Sequence, residues 1–432
     1  MRITTWQIAV GSLSLLTFGL AARADSPDLS PRELRHFYND SVRYTDAIEF
    51  PQLFVGNPVH GQAVFGVSAD DQHIDLSQAL FQGNSIMAGP IVSNGRGCSS
   101  CHRPESFLKL PTDLSGIPAN DPLFTGESAD GQGDPRLDPL LRTHGLVKYR
   151  HNRFNPVLDE TDPFRKWLVW RKTQTVINFA FAYGVLTDGH ARHGVEQARA
   201  AAMSHTQQGD ARFDDLVNPS LNDIVAYQQT EIQPPELADL LNNGPLFGVL
   251  STNPFYTVHT SNDLERDGQD VFQDKCMSCH NMPNVFSNRD HVNGPPANFP
   301  PIYGHTFDIG VAQRNKFNLD FRFYDSTTQT FSPIVMPLTR EDGEVVNITI
   351  VDDIGAAGTS GRYEDLHKFR VPTMRNLLKV APYFHDNSAA TLEEVVDYFN
   401  SDTYNDSLDG RTHPIRMNDH ERDALVAFLK IL

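Results

Sequence analysis

Apolar positions in the C-terminal part of the chain fall into helical stripes. In "ALVAFLKIL", Leu425, Phe428, Leu429 and Leu432 recur at three- and four-residue spacing and share one helix face. Asn418 followed by Glu421 has the pattern of a helix start, and Thr391 with Glu394 repeats it ahead of "VVDYF". A further helix is predicted in "SNDLERDGQDVFQDK", with Leu264, Val271 and Phe272 on one face. Between 290 and 358 the pattern changes. "NGPPANFPP" reads as a loop, and "FRFYD" and "EVVNITIV" read as strands around an Asp342–Gly343 turn. A small β-hairpin is expected there inside an otherwise helical domain.

The chain also repeats itself. Thr175, Asn178, Asp188, Gly189 and Glu196 recur as Thr373, Asn376, Asp386, Asn387 and Glu394, each displaced by 198 residues. Gly189 and Asn387 follow their aspartates where a turn calls for a residue tolerant of positive φ. Duplication is the simplest explanation. The predicted fold is mainly α: two repeated domains, with the hairpin inserted in the second. The polar segment "LSTNPFYTVHTSN" marks the boundary, giving domains at 25–255 and 256–432.

Residues 1–24 are expected to be a cleaved secretory signal. Arg2 precedes the apolar run "IAVGSLSLLTFGLAA", and Ala22-Arg23-Ala24 precedes the expected cut. The run is shorter than the ~20 residues a spanning helix needs. Cleavage removes Arg2 and Arg23, taking the net charge from −18 to −20. An acidic chain of this kind argues against nucleic acid and favours a basic partner. From this signal the chain is therefore expected to be exported.

An exported chain ordinarily spends its cysteines on disulfides, but all four here stand in two C-x-x-C-H motifs. These are Cys98, Cys101 and His102, and Cys276, Cys279 and His280. A zinc site brings four Cys/His ligands together, and a thioredoxin-like motif has no trailing histidine. Covalent haem c needs this spacing: two thioethers hold the porphyrin edge and the adjacent histidine reaches the iron. Two covalently bound haem c groups follow, with His102 and His280 as proximal ligands, so the two repeated domains are expected to be cytochrome c-like.

"FRVPTMRNLLKVAPYFHDNSAATLEEVVDYFN" at 369–400 resembles the bacterial di-haem cytochrome c peroxidase and MauG family. So do both haem motifs, "RKTQTVINFAF" at 171–181 and "TDGHARHGVEQA" at 187–198. The resemblance implies a haem near His102 that reacts with hydrogen peroxide and a haem near His280 that relays electrons. It places the family's distal glutamine on Gln197. The glutamate expected ten residues on is replaced by Gln207, leaving His205 as the substitute proton carrier.

Other positions depart from the family. Its distal Met or Tyr falls on Phe399, with Tyr398 alongside as the remaining candidate iron ligand. Loss of a Met ligand lowers a haem potential. The tryptophan between the haems aligns with Thr187, while Trp167 and Trp170 lie nearby. The asparagine of the inter-domain calcium site aligns with Lys172, whose ammonium can occupy the cation's place between the carbonyls of Val380 and Pro382, so calcium is doubtful. The histidine that closes the resting first haem aligns with Phe164, leaving His144 and His151 as substitutes.

The resemblance thus implies a periplasmic peroxidase fed by a small cytochrome or cupredoxin, in a family whose members often form homodimers. The alternatives are a MauG-like enzyme oxidising a protein or organic substrate, more distantly a haem-dependent dioxygenase, and a plain di-haem electron carrier.

Overall fold

The computed structural model describes residues 56–65, 96–124, 133–150, 168–182, 184–189, 191, 194–195, 197–198, 201, 218–288 and 305–432. The expected signal at 1–24, His151, Phe164, Trp167, His205 and Gln207 lie outside these residues. Helices of eight or more residues among them are α1 (Pro58–Phe65), α2 (Leu137–His144), α3 (Asn218–Thr230), α4 (Asp263–Lys275), α5 (Leu392–Phe399) and α6 (Asp419–Leu429). None is long and apolar enough to cross a membrane.

Two helix crossings hold the motif-bearing segments. In the second, α4 meets α6 closely because residue 268 is glycine: a Cβ there would lie 2.0 Å from the carbonyl oxygen of Ala424. Val271 and Phe272 then pack with Leu425, Phe428 and Leu429 in one core. The first crossing, α1 on α3, uses the same device. A Cβ on Gly61 would lie 1.8 Å from Asp223 O, and Phe65 packs against Leu221, Ile224 and Val225. Leu264 is 39 % exposed, so its place on the expected apolar stripe of α4 is not used in the core.

Asn418 caps α6 by accepting from Glu421 N at 3.0 Å, while Glu421 accepts from Asn418 N at 2.9 Å. Thr391 caps α5 at 3.2 Å. Glu394, however, turns back to Ala390 N and Lys316 rather than closing the reciprocal bond.

The sequence repeat has a backbone counterpart. Asn178 and Asn376 both adopt left-handed conformations (φ 63° and 54°), as do Gly189 and Asn387 (φ 72° and 61°). The bridges Val185–Ala191 and Tyr383–Ala389 are related by the same 198-residue displacement. The two turns also exchange hydrogen bonds: Lys172 N donates to His385 O, and Arg370 N to Thr187 O, each at 2.8 Å.

Four antiparallel two-stranded sheets complete the described structure. β1 (Leu146–Arg150) pairs with β2 (Leu168–Lys172), and β3 (Thr306–Phe307) with β8 (Phe369–Arg370). β4 (Phe323–Asp325) pairs with β5 (Thr330–Ser332), and β6 (Val335–Thr339) with β7 (Val345–Thr349). The apolar side chains of this later segment do not sit among the helices of the second half. Phe321, Met336, Leu338 and Ile350 join Leu146, Leu168 and Trp170 in one core on the β1–β2 sheet. Beneath it, fully buried Arg171 of β2 binds Asp353 at 2.6 Å and Asp188 at 2.9 Å.

Candidate functional site

Each C-x-x-C-H motif makes one tight turn. His102 N donates to Cys98 O and His280 N to Cys276 O, both at 2.9 Å. The histidine ring is then fixed the same way in both halves. His102 Nδ1 donates to Leu108 O at 3.0 Å, and His280 Nδ1 to Phe286 O at 2.6 Å. A carbonyl only accepts, so Nδ1 carries the proton and Nε2 keeps its lone pair. Leu108 and Phe286 hold left-handed conformations (φ 50° and 56°) that turn these carbonyls inward. Phe65 lies 6.2 Å from the ring of His102, and Phe272 lies 6.4 Å from that of His280.

Burial lowers the pKa of both imidazoles, that of His280 to about 4. Both rings are therefore neutral at pH 7, the form in which imidazole binds a metal. Burial also pushes the Cys98 and Cys276 thiols up to about 12. No cysteine is in a disulfide.

Cys276, Cys279 and His280 open on a cavity of about 340 Å³, within the usual range for small-molecule sites. Phe307, Phe369, Phe384 and Phe399 form much of its apolar wall. A site with two thiols, a histidine with a free Nε2 and a broad aromatic wall suits an attached haem.

The structure answers the question raised at 398–399. Phe399 lines the cavity. Tyr398 is buried, and its hydroxyl donates to Ile309 O at 2.7 Å. One residue on α5 is a rotation of about 100°, and it turns Tyr398 out of the cavity wall. The expectation that Tyr398 serves as a distal ligand is therefore not met by the geometry here.

Gln197 is partly buried on a helical segment beside Ala198, which belongs to the same core as Phe65 and Ile177. Thr187 is buried, and its hydroxyl accepts from Gln174 Nε2 at 3.2 Å. Trp170 is fully buried, with Arg136 and Lys148 each 5.7 Å from its ring and its Nε1 donating to Asp320 O. Trp170 packs in one core with Leu146 and Leu168. His144 stacks on Phe317 at 4.0 Å, and its carbonyl accepts from Asn387 Nδ2 at 2.9 Å.

Lys172 Nζ donates to Val380 O at 3.0 Å and also to Pro382 O. Burial, with Lys109 nearby, brings its pKa down to about 7. Sequence reasoning missed His385, which is 7 % exposed, lines the cavity and stacks on Phe369 at 4.4 Å. Its place in the "APYFHD" block was the available signal.

No family model matches the chain. The cytochrome-c peroxidase IdrP2 of Denitromonas iodatirespirans is 28 % identical over 282 residues, covering 61 % of this chain and 68 % of that protein. The cytochrome c551 peroxidase of Nitrosomonas europaea is 39 % identical over 79 residues, 18 % of this chain and 21 % of its own. MauG of Methylorubrum extorquens is 37 % identical over 67 residues, 15 % of this chain and 19 % of its own. Among solved structures, the di-haem peroxidase BthA of Burkholderia thailandensis is similar at TM-score 0.40 and 16 % identity, covering 88 % of this chain and 87 % of its own. The chain is similar to proteins named cytochrome-c peroxidase and MauG, which supports a di-haem cytochrome c peroxidase and MauG family for it. It is an oxidoreductase, and its cofactor is haem.

Proposed function

We propose that the protein is a periplasmic peroxidase that carries one haem c on Cys98 and Cys101 and another on Cys276 and Cys279, in domains spanning 25–255 and 256–432. The observation that carries this reading is the matched pair of histidines, His102 and His280, each with Nδ1 on a carbonyl six residues ahead. The secretory pattern at 1–24 supports export. The reaction consumes one hydrogen peroxide, two protons and two electrons, and releases two waters. Haem supplies the redox-active iron. The electrons come from a small cytochrome or cupredoxin, for which the net negative charge of the chain favours a basic docking face.

The residues of the chain bind and direct. The Leu108 and Phe286 carbonyls keep Nε2 of each histidine available. The Gln197 amide hydrogen-bonds peroxide at the site of the first motif, and His205 moves a proton to the departing oxygen. A MauG-like oxidation of a protein or organic substrate is the second reading. It is favoured by Phe399 standing at the cavity wall where a methionine would tune an electron-relay haem.

The test is an absorption spectrum of the ferric protein before and after one equivalent of hydrogen peroxide. A prompt Soret change that a reduced small cytochrome reverses supports peroxidase activity. A change that only an organic or protein substrate reverses supports the MauG-like reading. No change in the ferric or half-reduced protein contradicts both and leaves an electron carrier.

A further inference from the structure

Arg171 holds two carboxylates, and Arg136 pairs with Asp134 at 2.7 Å. Arg370 and Arg375, which line the cavity opened by Cys276, Cys279 and His280, are different. Among the described residues neither makes an ion pair within 4.0 Å.

Arg375 is 5 % exposed, and its Nε is buried with no hydrogen-bond partner. Its Nη2 donates to Thr257 Oγ1, and its guanidinium lies 5.4 Å from the ring of Phe286, the residue whose carbonyl holds His280. Arg370 donates from Nε to Leu186 O at 3.3 Å and from Nη1 to Val371 O at 3.2 Å. Both bonds are to neutral carbonyls. Burial brings both groups down to about 10, so desolvation outweighs the distant carboxylates of Asp188 and Glu236. A buried Arg375 and a half-buried Arg370, neither with a counter-charge, carry a desolvation cost unless an anion joins them, and the cavity is where one fits. Paired arginines recognise carboxylates well because each guanidinium offers a planar fork of donors.

We propose that Arg370 and Arg375 anchor a ligand with two carboxylates in this cavity, and that these are the propionates of the haem held by Cys276 and Cys279. The inference rests on the haem reading above. It carries an electrostatic consequence. Two positive charges close to the site favour an added electron there, and so offset the lowering of potential that comes with Phe399 in place of methionine.

The experiment is a spectroelectrochemical titration of the purified holoprotein, wild type against Arg370→Gln, Arg375→Gln and Arg375→Lys. Haem attachment in each is checked by intact mass. The two midpoints are assigned with the Cys98→Ser/Cys101→Ser protein. Each glutamine variant is expected to lower the midpoint of the second haem and to make it depend on pH in the carboxylic acid range. The first haem keeps its own midpoint and serves as the control for folding. Arg375→Lys keeps the charge and most of the potential, and carries the test with Arg370→Gln if Arg375→Gln does not fold. Unchanged second midpoints in glutamine variants that hold both haems overturn the inference alone. A wild-type chain without haem on Cys276 and Cys279 overturns the haem reading, and the inference with it.

Discussion

An imidazole can offer Nε2 to a metal only after the proton is settled on Nδ1, and in this protein a backbone carbonyl settles it twice. At the same scale, one residue's rotation on α5 decides the character of the second cavity. Tyr398 spends its hydroxyl on Ile309 O, so Tyr398→Phe should leave the haem absorption bands unchanged. It should cost about 0.5–1.5 kcal/mol, because the partly buried Ile309 carbonyl loses its donor. Absorption spectra and urea midpoints check both halves of that prediction. Lys172 carries a pH prediction. Its folded-state pKa of about 7 lies below its ordinary 10.5. Below pH 7 the ammonium is charged in both states and its contribution is flat. From pH 7 to 10.5 the unfolded chain holds a proton that the folded chain has released, so the contribution to stability rises with pH. The rise is at most about 1.4 kcal/mol per pH unit. Lys172→Met should remove that rise, which denaturant midpoints at neutral and alkaline pH will show.

Among the elements, the helix crossings were partly legible in the sequence and the sheets less so. The stripe of Leu425, Phe428 and Leu429 and the Asn418–Glu421 start were enough to read α6, because spacing and caps are local signals. Strands β1 and β2 escaped notice because Lys148 and Arg171 break any apolar alternation, and both are buried by pairing with aspartates. Those partners are distant in sequence in the case of Asp353, and no local pattern announces them. The site divides in the same way. The cysteines and the two histidines could be read from motif spacing and the Lys172 position from the family resemblance, whereas the turn of Tyr398 away from the cavity required the packing of α5. At this scale Gly268→Ala is the sharpest test. Alanine favours a helix by up to about 1 kcal/mol, but its Cβ would meet backbone oxygen at 2.0 Å, which no side-chain rotation relieves. The clash should win, destabilising the protein by about 1–3 kcal/mol with a lower thermal midpoint.

Across the whole molecule, the two repeats are joined through buried polar groups. Arg171 bridges Asp188 of the first repeat's turn and Asp353 of the later segment, and Lys172 and Arg370 each reach the carbonyls of the opposite turn. Arg171→Met would leave two carboxylates buried without their cation and should cost about 3–5 kcal/mol, read as a fall in the urea midpoint. The same joint brings residues of the first half, among them Gln174 and Thr175, into the wall of the second cavity, so the two sites share structure. Everything about function depends on both motifs holding haem. The most direct measurement is the intact mass of the protein purified from a host that matures c-type cytochromes. The account predicts a chain lacking residues 1–24 and heavier by two haem groups, falling to one in Cys276→Ser/Cys279→Ser. A chain with both motifs intact that carries one haem or none under those conditions would contradict it.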